Sequence, residues 1–68
     1  MSRLAVRYRA EAKAEEIARL EGKLGISAVR RIAPLRISAY DDRDGLEEKL
    51  RKEPIVEYVE REEQASIQ

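Results

Sequence analysis

The sequence predicts a single α+β domain whose elements follow the order β-α-β-β-α-β. Three observations carry that prediction. Leu4-Ala5-Val6-Arg7-Tyr8 puts Leu4, Val6 and Tyr8 on one face of an extended chain, the period-2 pattern of a half-buried strand. Residues 10–24 are rich in Ala, Glu, Lys and Leu, all strong helix formers. Ile55-Val56-Glu57-Tyr58-Val59, directly after Pro54, is β-branched and aromatic, which favours a closing strand.

Taken in order, the first strand spans Leu4–Tyr8. The helix predicted over Ala10–Leu24 has one apolar stripe through Ala14, Ile17, Leu20 or Glu21, and Leu24. Gly25 is placed to end it in a left-handed cap, and Gly22 costs about 1 kcal/mol relative to Ala in its interior. Ser27–Ile32 and Leu35–Tyr40 are predicted as two strands joined through a short turn at Pro34, with Leu35, Ile37 and Ala39 sharing a face. The polar run Asp41-Asp42-Arg43-Asp44-Gly45 is a loop. Asp44 and Glu47 have the spacing of a capping box that opens a helix of about two turns, with Leu46 and Leu50 as its apolar pair. Pro54 biases Glu53 away from helical angles and ends that helix.

This order is the ferredoxin-like split β-α-β unit. Right-handed crossovers make it a four-stranded antiparallel sheet with the first and third strands central and two helices on one face. No element is left to cover the other face. On the predicted alternation that open face carries Ala5, Arg7, Arg36, Ser38 and Tyr40. In the last strand Val56 and Tyr58 fall on one side, Ile55 and Val59 on the other. A strand apolar on both sides implies that a partner covers the open face.

Composition narrows the functions. The 68 residues form one small domain, for which ordering the chain costs roughly 1.5 kcal/mol per residue. Cys and His are absent, so neither a disulfide nor an imidazole or thiolate metal site can support it. Fourteen basic and fourteen acidic residues balance, unlike the basic footprint of a nucleic-acid binder. Much of the charge fits a solvated helix surface, with Glu15/Arg19, Glu47/Arg51 and Glu48/Lys52 four residues apart. No apolar run has the length of a membrane span. Catalysis lacks its commonest base and nucleophile, and a Ser–Lys pair needs a desolvated pocket larger than this chain can build. The acidic run at residues 41–44 lacks the loop and closing Glu of a calcium site, and no cofactor is expected. Sheet-face RNA binding is not expected either, because the central strands lack the paired aromatic residues it uses.

The closing stretch carries a more specific signal. Leu50-x-x-Glu53-Pro54-x-Val56-x-Tyr58-Val59-Glu60-x-Glu62 resembles the ending of the propeptides of subtilisin-like serine proteases, the inhibitor I9 family. The order and approximate lengths of the other elements agree over nearly the whole chain. The resemblance implies a propeptide that helps its protease fold and then inhibits it, secreted as part of a precursor whose signal peptide lies outside this chain. It implies that the open face, including Arg7, Arg36, Ser38 and Tyr40, packs on two parallel helices of the enzyme. It also implies that Glu60 and Glu62 cap the N-termini of those helices, with Arg61 pointing away. Residues 61–68 form an extended C-terminal tail, of which Ala65, Ser66, Ile67 and Gln68 occupy the substrate cleft, Gln68 just before the processed bond. The partner so implied is a subtilisin-like protease, with no nucleic acid, membrane or small-molecule substrate. Two other readings remain open from the sequence: a freestanding protease inhibitor of the same fold, and a ferredoxin-like regulatory module that binds a small ligand.

Overall fold

The computed structural model describes residues 2–63. Strand β1 spans Ser2–Tyr8, helix α1 Ala14–Leu24, β2 Arg30–Ile32, β3 Ile37–Asp41, α2 Leu46–Arg51 and β4 Val56–Glu63, with a 3-10 turn at Ala33–Leu35 between β2 and β3. The sheet is antiparallel in the order β2-β3-β1-β4, the ferredoxin-like arrangement. Leu4, Val6 and Tyr8 of β1 pack with Leu20 of α1, Leu46 and Leu50 of α2, and Val56 and Val59 of β4, so both helices lie on one side of the sheet.

Local chemistry sets the boundaries. Helix α1 begins at Ala14 rather than Ala10. The Lys13 N–H donates to Glu16 Oε1 (2.9 Å) at its first turn, while Arg9–Ala12 form a turn tied to the closing segment by Arg9 N–H to the Ile55 carbonyl (2.9 Å). Gly25 ends the helix at φ 66°, left-handed as expected. Helix α2 starts behind Gly45 at φ 77° with no side-chain cap, so Asp44 does not play the capping role predicted for it. Glu47 instead accepts from Arg51 four residues on (2.6 Å) and from Arg61 of β4 (2.8 Å).

Three sequence expectations are corrected. β2 is only Arg30–Ile32, because Ile26 is buried and Ala28 packs against the core in the connection that precedes it. Leu35 belongs to the 3-10 turn and is exposed; Arg36 follows at φ 57°, and the strand restarts at Ile37. The faces of β3 are therefore opposite to those predicted. Tyr40 pairs with Leu4 and Ser38 with Val6, which puts both on the helix side, while Ile37 and Ala39 face outward. Tyr40 is fully buried and Ser38 nearly so. Tyr40 offers more apolar area to the core than Ile37 would, and its hydroxyl finds partners there.

The third correction concerns β4. Arg7 pairs with Tyr58 but Tyr8 with Val56, so Glu57 is an extra residue in a bulge. The bulge turns Val56 and Val59 both toward the core and Tyr58 outward. It also explains an apolar pattern that looked two-sided. Beyond Val59 the strand continues: Glu60, Arg61, Glu62 and Glu63 pair with Ala5, Leu4, Arg3 and Ser2. Residues 61–63 are thus part of the sheet rather than of a separate tail.

Candidate functional site

Cross-strand partners share a face, so the register lays out the side of the sheet away from the helices. Three rows cross it. The first runs Ile32–Ile37–Arg7–Tyr58, the second Arg30–Ala39–Ala5–Glu60, the third Asp41–Arg3–Glu62. Among the described residues no element covers these rows. Ala5 and Ala39 retain only 8% and 7% exposure, because larger side chains stand on both sides of them. Two methyl groups thus floor a shallow trough across the central strands, with Arg30 at one end and Glu60 at the other.

The first row is the most apolar. The Arg7 guanidinium lies 5.9 Å from the centre of the Tyr58 ring, a cation–π contact that holds both side chains down on the sheet. Arg7 Nε is buried with no hydrogen-bond partner among the described residues. Of the five residues expected on this face, only Ala5 and Arg7 stand within the rows. Arg36 sits at their margin, its Nε donating to the Tyr8 carbonyl (3.3 Å) and its Nη2 3.9 Å from Glu57. Ser38 and Tyr40 are on the other side and cannot touch a partner bound here.

Glu60 and Glu62 both face outward on the edge strand, two residues apart. Arg61 between them faces the helices, with Nη2 2.8 Å from Glu47 and Nη1 3.4 Å from Asp42. These contacts pin the far half of β4 over α2 and so keep the carboxylates of Glu60 and Glu62 aimed off the sheet. The same Arg61 hydrogen bond holds the Glu47 carboxyl below its ordinary range, with Arg51 adding to the effect. Ala65, Ser66, Ile67 and Gln68 lie outside the described residues.

Behind the face lies a polar network that the sequence reading missed. Tyr40 donates to Glu21 Oε2 (2.6 Å), so Tyr8 donates its proton to the Tyr40 hydroxyl (2.6 Å). Arg31 clamps the Glu21 carboxylate with two 2.8 Å contacts and reaches the Ser38 hydroxyl at 3.2 Å. The chain of bonds ties α1, β2, β3 and β1 together. Its one sequence signal was Glu21, an acid standing in the apolar stripe of α1. Burial pushes both tyrosines above their ordinary value, and for Tyr40 the Glu21 carboxylate adds to it. A group raised on folding stabilises fully below its unfolded pKa, about 10 for Tyr, and loses that contribution as pH rises beyond it. The urea midpoint should therefore fall between pH 9 and pH 11. The fall should be smaller in Tyr8→Phe/Tyr40→Phe; an equal fall in both proteins would contradict the buried pair.

Among the described residues no cluster of three or more His, Cys, Asp or Glu could hold a metal ion. The arrangement suits binding through shape and charge: an open, trough-floored sheet face with two carboxylates along one edge. Comparison with protein-family models, with curated proteins and with solved structures finds no match to this chain.

Proposed function

We propose that this chain is an inhibitory and folding-assisting propeptide of a subtilisin-like serine protease. The open face docks on surface helices of the enzyme, Glu60 and Glu62 cap their N-termini, and Ala65 to Gln68 enters the substrate cleft. The observation that carries this reading is that Glu60 and Glu62, the acidic pair of the closing motif, stand together on the uncovered face, beside an alanine-floored trough. Helix N-termini carry unpaired N–H groups and partial positive charge, so they favour carboxylates presented in this way. A floor of methyl groups lets a helix approach the sheet closely. No bond is made or broken by this chain. Affinity comes from the sheet, blockade from the tail, and assistance in folding from holding the enzyme's helices in their final arrangement.

The test is steady-state inhibition of a subtilisin-type protease by the full chain and by a chain ending at Gln64. The full chain should inhibit, while the shortened one should bind but leave the cleft open to substrate. Equal inhibition by both would remove the tail from the mechanism. Glu60→Ala/Glu62→Ala should weaken binding by about 1–3 kcal/mol if both caps form. Both side chains point off the sheet, so circular dichroism should show the fold retained. An unchanged inhibition constant would rule out the capping role.

A further inference from the structure

The open face is self-complementary, and we propose that it also joins two copies of this chain into a face-to-face dimer. A two-fold axis running parallel to the strands keeps each row opposite itself while exchanging its two ends. The second row reads Arg30–Ala39–Ala5–Glu60, so Arg30 of one copy meets Glu60 of the other, twice, and the alanines meet alanines. In the third row Asp41 meets Arg3 of the other copy, again twice. In the first row Ile32 meets Tyr58, and Ile37 meets the aliphatic stem of Arg7. Every opposed charge in the second and third rows except Glu62 thus finds the opposite sign. The alternative axis, across the strands, sets Arg3 against Arg7 and is disfavoured by like charge.

The groups involved are available. Arg30 and Glu60 are exposed and have no ion-pair partner among the described residues. Arg3 and Asp41 are 3.8 Å apart within one chain with side chains 53% and 73% exposed, so the second copy completes an alternating cluster of four charges. Packed sheets twist about 30° relative to each other, a displacement that the long Arg30 side chain can span.

Size sets the strength. Four strands about 4.8 Å apart, crossed by three rows, give a face on the order of 400 Å² per copy. Stable interfaces bury roughly 800 Å² per partner, so this dimer belongs with the weak, concentration-dependent contacts. It covers the same face that the proposed protease docking uses. Dimer and protease complex therefore exclude each other.

Sedimentation equilibrium of the full chain between about 10 μM and 1 mM, with circular dichroism at each concentration, tests the proposal without any protease. The wild-type chain should pass from monomer to dimer across that range. Arg30→Glu and Glu60→Arg alone should each weaken dimerisation at least tenfold, because each opposes like charges at both ends of the row. An equimolar mixture of these two variants should dimerise again, since every pair across that interface is then opposite in sign. The double variant Arg30→Glu/Glu60→Arg should do so by itself. A wild-type chain that stays monomeric up to 1 mM overturns the proposal, as does a dimer indifferent to both single substitutions. Failure of protease inhibition leaves this result untouched, so the two ideas stand or fall separately.

Discussion

Tyr40→Ala is expected to leave this chain unfolded at 25 °C. Tyr40 is fully buried between Tyr8, Leu4 and the helices, and truncating a large aromatic core side chain costs about 3–5 kcal/mol. The substitution also strips Tyr8 and Glu21 of a hydrogen-bond partner each. A domain of 68 residues has roughly 3–10 kcal/mol in all, at about 0.05–0.15 kcal/mol per residue. Far-UV circular dichroism and the dispersion of the amide proton spectrum measure the outcome. Were Tyr40 on the docking face, the same variant would keep its fold and lose only affinity. Tyr40→Phe keeps the packing and should cost about 1–2 kcal/mol, read as a lower urea midpoint.

Ala5→Arg is the counterpart, large in binding and small in stability. Ala5 points away from the core on the central strand, so an added side chain can extend into solvent. It also fills the trough and holds any partner helix off the sheet. Inhibition of a subtilisin-type protease should weaken about 100-fold or more, some 2.7 kcal/mol. The urea midpoint should stay close to that of the wild-type chain. A variant that folds and inhibits normally would show that the enzyme is contacted elsewhere.

The order of elements was legible because each rests on local chemistry: the alternation of Leu4, Val6 and Tyr8, the left-handed cap at Gly25, and Pro54 before a β-branched run. The parity of β3 was not. Leu35-Ile37-Ala39 and Ser38-Tyr40 are equally acceptable inward sets until β1 chooses between them by pairing Leu4 with Tyr40. The left-handed turn at Arg36, a non-glycine residue, has no sequence signature, yet it detaches Leu35 from the strand. The bulge at Glu57 left one trace, the adjacent apolar pair Tyr58 and Val59 that breaks the alternation. Residues 61–63 looked like the start of a tail because charged residues have low strand propensity. Pairing with Ser2–Leu4, and the ion pairs of Arg61, override that propensity. The closing motif had singled out Glu60 and Glu62 beyond the predicted strand, and the extension of β4 to Glu63 sets them two residues apart on one face.

The proposed docking of the open sheet face on a subtilisin-like protease is open to direct measurement. Calorimetric titration of the full chain into such a protease, with its catalytic serine replaced so that the chain is not digested, tests it most directly. The expected result is one chain per enzyme at submicromolar affinity, weakened about 100-fold by Ala5→Arg and unchanged by Lys49→Ala on the exposed side of α2. No binding at micromolar concentration to several such proteases, or binding indifferent to Ala5→Arg, would contradict it.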